Sequence, residues 1–131
     1  MKKLTLALAA MLTFSIAFAA VAHEDEEKDG PKIVTLKGEI VDTGCYLGHG
    51  AKGADHQACA LRCIANGMPM ALLTDDDTLY LLTMSHEDAD PFNAAKEMAA
   101  LQVQVTGPLH ERDGMKSIEV TAVAEVKADK K

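Results

Sequence analysis

Three cysteines and two histidines of this chain fall in one short segment, where they could together bind a metal ion. Cys45 and His49 come first, and a His-x-x-Cys-x-x-x-Cys run follows, made of His56, Cys59 and Cys63. Thiolates and imidazoles in this number are typical ligands of tetrahedral Zn²⁺ and of copper. Because the spacing is not that of a standard zinc finger, the sequence leaves open whether a bound ion would be Zn or Cu.

A helix predicted over residues 55–66 would place three of these side chains on one face. His56, Cys59 and Cys63 are spaced i, i+3 and i+7, which at about 100° per residue defines a stripe about 60° wide. Asp55 would cap this helix and Gly67 would end it. With Cys45 arriving from the preceding loop, we predict one metal site with a Cys3His ligand set.

Three further residues near this segment have two interpretations each. His49 lies in a Gly-rich loop and is either a fifth candidate ligand or a polar loop residue. Asp42 either orients a ligand imidazole through a hydrogen bond or forms the turn that ends a strand. Met68 either places a thioether, which favours Cu(I), over the site or packs in the core at the start of a strand. We expect His86 and His110 to be surface residues.

Two other functions compete with metal binding. In an exported protein, Cys45 could form a structural disulfide with Cys59 or Cys63, which leaves one spare thiol. A Cys59–Cys63 bridge would strain the helix, since Cβ atoms at i and i+4 are about 5–6 Å apart and a disulfide needs about 3.5–4.5 Å. The alternatives are therefore a disulfide-stapled protein-interaction module and a thiol redox protein that uses Cys59.

The chain begins with a pattern that predicts export. Lys2 and Lys3 precede an apolar run without charge, and the small residues 20–22 precede an acidic segment. This is the pattern of a secretory signal peptide, and the apolar run is a poor membrane anchor. We predict cleavage after Ala22, a periplasmic or secreted location and no membrane anchor in the mature form.

The charge of the mature chain argues against polyanionic partners. Cleavage would leave 109 of the 131 residues and, with the loss of Lys2 and Lys3, change the formal charge from −7 to −9. Nucleic-acid binding needs a basic face, and base stacking needs aromatic side chains, of which only three would remain. We therefore expect no nucleic-acid partner. If the chain docks onto another macromolecule, we expect a periplasmic protein.

The remaining pattern predicts a mostly β fold with two short helices. The first predicted element is a strand over residues 32–41, which is followed by a hairpin around Asp75-Asp76-Asp77. Next come a helix with Asp90 as N-cap and Phe92–Ala100 as its body, and a final hairpin at Asp113-Gly114. Five strands with a helix between the third and the fourth indicate an OB-like five-stranded Greek-key barrel. Gly38 and Gly107 would suit its corners.

This order divides the chain into four segments. They are a signal peptide at 1–22, an acidic flexible tail at 23–31, the OB-like domain at 32–126 and a basic C-terminal tail at 127–131. No internal repeat interrupts the domain.

The arrangement of motifs resembles a group of small exported bacterial OB-like proteins of unknown function. The shared features are Asp42-x-x-Cys45, then His56-x-x-Cys59-x-x-x-Cys63, within strands that span residues 33–125. The resemblance implies an exported OB-like module with a metal or redox role and no known reaction. This chain departs from the group in a longer insertion at 46–54. From residues and resemblance together, we expect metal storage, delivery or electron transfer rather than catalysis.

Overall fold

The computed structural model describes residues 30–127, which contain six strands and three α-helices. The strands are β1 (Ile33–Asp42), β2 (Met70–Leu73), β3 (Leu79–Met84), β4 (Gln102–Arg112), β5 (Met115–Val120) and β6 (Ala122–Glu125). The helices are α1 (Thr43–His49), α2 (Gln57–Ala65) and α3 (Asp90–Lys96), and a short 3-10 helix, Ala54–His56, precedes α2. The predicted signal peptide, most of the acidic tail and most of the basic tail lie outside the described residues.

The first five strands close into a barrel. β1 pairs with β2, β2 with β3, β3 with β5 and β5 with β4, and β4 returns to β1. Only the β3–β5 pairing is parallel among these. This closed order, with α3 between β3 and β4, confirms the predicted OB-like five-stranded barrel.

The last strand of the prediction is bent into two. The sequence predicts one strand over residues 117–123 after the Asp113-Gly114 turn. This stretch divides at Thr121 into β5, which pairs with β3 and β4, and β6, which pairs with β4. Near the bend, the backbones of β4 and β5 lie close together at Gly107 and Glu119. A Cβ atom on Gly107 would overlap the carbonyl oxygen of Glu119, so only glycine fits there.

One hydrophobic core fills the barrel. Every barrel strand contributes to it, together with α2 and the α3 region, through the buried residues Ile40, Ala60, Ile64, Met70, Leu72, Leu82, Ala95, Ala99, Val103, Val105, Ile118 and Val120. None of the three cysteines belongs to this set. The core is therefore formed without any contribution from the cysteines.

Two of the helix predictions need correction. The Gly-rich stretch expected to be irregular contains α1, because Tyr46 packs on a second small cluster of Val41, Ala71 and Leu73 on the outer side of β1 and β2. This tertiary contact outweighs the low helix propensity of glycine. Asp90 is the first helical residue and not the N-cap, which is Ala89, and α3 ends at Lys96.

The predicted helix over residues 55–66 is also divided. Asp55 lies inside the 3-10 helix, whose N-cap is Gly53, and α2 begins only at Gln57. The backbone N–H of Gly53 donates to the Glu39 carboxylate, which holds the preceding loop against β1. Among residues 30–127, no helix is long and apolar enough to cross a membrane.

Candidate metal centre

The last residue of β1 organises the site. The Asp42 side chain is fully buried and is the N-cap of α1, where its Oδ1 accepts the Cys45 backbone N–H at 2.8 Å. Its other oxygen, Oδ2, lies 2.9 Å from Nε2 of His56. Asp42 therefore both ends the strand and hydrogen-bonds to an imidazole, the two roles that the sequence left open.

α1 is fixed at both ends, which fixes the position of Cys45. The backbone N–H and the hydroxyl of Thr43 donate to the Pro69 carbonyl at 2.9 and 3.0 Å. Gly50 ends the helix in the left-handed conformation, with φ +68°, and donates to Tyr46. Cys45 lies in the first turn, so the Asp42 cap positions its backbone directly.

α2 carries the other two thiols on a face next to its core face. Ala60 and Ile64 are buried in the core, while Cys59 and Cys63 are half-buried with their Sγ atoms 4.0 Å apart. This separation is about twice an S–S bond length, and all three cysteines are free. A guanidinium N–H of Arg62 donates to the Cys59 sulfur at 3.9 Å.

The three thiols and the buried carboxylate form two overlapping groups that could hold a metal ion. Cys45, Cys59 and Cys63 have their Sγ atoms within 4.8 Å of one another. Ligand atoms of Asp42, Cys45 and His56 also lie within 4.8 Å of one another, so Cys45 belongs to both groups. The tertiary structure thus joins α1, the 3-10 helix and α2 at one place.

His56 does not lie on the same helix as Cys59 and Cys63, which the sequence predicted. Its ring hydrogen-bonds to Asp42, at the edge of the three-thiol group, because the residue belongs to the 3-10 helix and not to α2. Since Asp42 is ionised at neutral pH, Nε2–H is the donor in this bond. With Nε2 donating to Asp42, only Nδ1 can offer a lone pair to a metal ion.

Asp42 also controls the protonation of the Cys45 thiol. Its hydrogen bond to the Cys45 side chain, followed by burial and its negative charge, raises the pKa of Cys45 to about 12. Burial, then the hydrogen bond with Cys59, raises the pKa of Cys63. Burial alone would raise the pKa of Asp42, but the hydrogen bonds from Cys45 and His56 outweigh it, and the pKa lies below its usual value.

Neither thiol with a raised pKa is a thiolate at neutral pH in the metal-free protein. A metal ion must therefore displace protons in order to bind. The same protonation leaves Cys45 and Cys63 poorly suited to attack a disulfide, since the thiolate is the nucleophile in thiol–disulfide exchange.

The other histidines and Met68 take different positions. His49 is exposed at the end of α1 and belongs to neither group. His86 and His110 are exposed, as expected. Met68 is 37% exposed and lies against Gly44 rather than in the core. Sequence reasoning missed the Arg62–Cys59 contact, although the i, i+3 spacing on α2 was a signal for it.

Fold and site together define an OB-like barrel that carries a three-cysteine cluster with an adjoining Asp–Cys–His group at the end of β1. In comparisons with known proteins, no family model matches the chain and no curated protein is significantly similar to it.

Proposed function

We propose that this protein is an exported metal-handling module that binds one Zn or Cu ion through its cysteine cluster. Cys45, Cys59 and Cys63 provide thiolates, and His56 adds an imidazole oriented by Asp42. The observation that carries the proposal is the gathering of three free thiols from α1 and α2 within 4.8 Å. Such a set of soft donors suits a transition metal ion.

A single ion would use every thiol of the cluster, whereas a disulfide would leave one over. Three thiolates also bring negative charge together, and Asp42 adds to it. The guanidinium of Arg62, which donates to the Cys59 sulfur, compensates part of that charge. Metal binding therefore accounts for all three cysteines and for the basic residue beside them.

The location of the cluster favours metal handling over a structural role for the metal. The barrel core forms from residues that exclude all three cysteines, so closing the barrel does not require an ion. The three thiols are half-buried and thus within reach of an exchanging ligand. Storage, delivery or electron transfer fits such an accessible site, and no catalytic role is proposed.

The export signal and the acidic charge extend the proposal to the surroundings of the protein. We place the mature form in the periplasm or outside the cell, beginning at His23, with a protein as its macromolecular partner. Intact mass of the exported protein tests the cleavage. A mature form that keeps the apolar leader would contradict this location.

A disulfide-stapled interaction module is the second candidate, and one surface feature favours it. The exposed side chains of Leu47 on α1 and Met115 on β5 border an apolar groove of about 360 Å³ beside the site. In that alternative, a disulfide through Cys45 would fix the orientation of α1 against α2. The groove would then receive the protein partner.

The experiment combines metal titration with a count of free thiols. We expect the reduced, metal-free protein to bind about one Zn²⁺ or Cu(I), and Cys59→Ser or Cys63→Ser to abolish this binding. His110→Asn is the matched control, since His110 is an exposed potential ligand outside the cluster, and it should bind normally. One disulfide through Cys45, one free thiol and no bound metal would instead support the interaction module.

A further inference from the structure

Met68 lies between the two elements that carry the cysteines. Its backbone N–H donates to the Cys63 carbonyl at 3.0 Å, which fixes the residue to the end of α2. Its side chain reaches across to α1 and contacts Gly44, the residue before Cys45. A Cβ atom on Gly44 would lie 2.8 Å from the Met68 sulfur and 2.7 Å from its methyl carbon.

The barrel core does not explain this position of the side chain. Met70, two residues later, is 2% exposed and belongs to the core, whereas Met68 is 37% exposed and lies outside it. The absence of a side chain at Gly44 creates the space that the thioether occupies. The Met68 backbone is therefore anchored to the end of α2, and its sulfur lies beside Gly44 in the first turn of α1.

We propose that Met68 is a fourth sulfur donor of the cluster and that the site is thereby selective for Cu(I) over Zn²⁺. This inference rests on the proposed function and names its ion. Thioethers bind Cu(I) well and are not among the usual ligands of Zn²⁺, whose sites use thiolate, imidazole and carboxylate. In this arrangement His56 remains hydrogen-bonded to Asp42, and Arg62 offsets part of the charge of the thiolates.

Two variants test the role of the thioether independently. Met68→Leu removes the sulfur and keeps a side chain of similar volume. Gly44→Ala changes none of the proposed ligand residues, but its methyl group would displace the Met68 thioether. Position 44 is helical, and alanine is favoured there over glycine. Met115→Leu is the matched control, because Met115 is 63% exposed on the barrel surface.

The measurement is the affinity of the reduced protein for Cu(I), by competition with a chromophoric Cu(I) chelator, together with its Zn²⁺ affinity. We expect Met68→Leu and Gly44→Ala each to weaken Cu(I) binding about tenfold or more, and Met115→Leu to leave it unchanged. Zn²⁺ affinity should stay the same in all three variants. The double variant should be no weaker than Met68→Leu alone, because both changes act through one sulfur.

The possible results separate this inference from the proposed function. If the wild-type protein binds neither ion, the proposed function fails and the inference with it. If the wild-type protein binds Cu(I) and Met68→Leu binds it equally well, the inference is overturned and the metal-handling proposal stands. An equal loss of Cu(I) and Zn²⁺ affinity in Met68→Leu would also overturn it, since Met68 would then only support the fold of the site.

Discussion

At the scale of single residues, Asp42 connects most of the site. One carboxylate oxygen caps α1, the other accepts from His56, and the same carboxylate hydrogen-bonds to the Cys45 thiol. A buried carboxylate with these donors stays ionised, and its charge keeps the neighbouring thiol protonated. Asp42 therefore sets the protonation state of Cys45.

The protonation of Cys45 predicts that the metal-free protein loses stability in alkaline solution. Its folded pKa of about 12 lies above the ordinary thiol value, so between the two the folded state binds more protons than the unfolded chain. This contribution to stability is fully present below the unfolded pKa and is lost as the pH rises through the folded one. Urea unfolding of the reduced protein over a series of alkaline pH values measures this loss.

Asp42→Asn is the matched variant for this measurement. Asparagine is as good an N-cap as aspartate, but it has no charge to hold the Cys45 proton. The pKa of Cys45 should fall toward its ordinary value, and the alkaline loss of stability should become smaller than in the wild-type protein. Parallel stability curves for the two proteins would show that Asp42 does not control this thiol.

At the scale of elements, one tight turn holds β4 and β5 in register. The hairpin between β4 and β5 pairs Arg112 with Met115 across Asp113 and Gly114, whose φ values are +51° and +82°. Two successive positive φ values are those of a type I′ turn, which matches the twist of the strands. The Asp-Gly dipeptide predicted this turn, and the structure confirms the positive φ of Gly114.

Gly114→Val should destabilise the protein, because a β-branched residue is strained at a positive φ. We expect a loss of about 1–2 kcal/mol in the free energy of unfolding, measured by denaturant titration. Gly48→Val is the control, since Gly48 lies in α1 with open space at its Cβ position, and a change within about 0.5 kcal/mol is expected there. Equal losses in the two variants would contradict a special role for the turn.

At the scale of the whole molecule, core and cluster are separate. The core takes its members from all five barrel strands, while the thiols lie where α1 and α2 meet outside it. The barrel core therefore packs without any contact that depends on the thiols. This separation distinguishes the arrangement from small zinc-finger domains, which are unfolded without metal.

We therefore expect metal removal to lower the Tm and leave the barrel folded. Binding to the native state alone stabilises it by RT ln(1 + [L]/Kd), about 2.7 kcal/mol when free metal is one hundred times Kd. A chelator should lower the Tm of the metal-loaded wild-type protein and leave that of Cys59→Ser unchanged, with β-sheet circular dichroism retained in both. An unfolded metal-free protein would show that the ion has a structural role.

Local patterns in the sequence determined the order of the barrel strands and the proximity of the two thiols on α2. Alternating apolar residues, the Asp-Gly turn and the order of strands were sufficient for the OB-like barrel. Cys59 and Cys63 lie one helical turn apart, so their proximity followed from helix geometry alone. These features depend on residues close together in the chain.

The tertiary structure decided the features that join distant segments. The Asp42 and Gly50 caps of α1 are local, but the contact of Tyr46 with Val41, which packs the helix on β1, depends on the fold. His56 contacts Asp42, which lies 14 residues earlier in the sequence. Met68 contacts Gly44, which is still farther away in the sequence. Such contacts depend on how packed elements direct their side chains, and periodicity within one element carries no information about that direction.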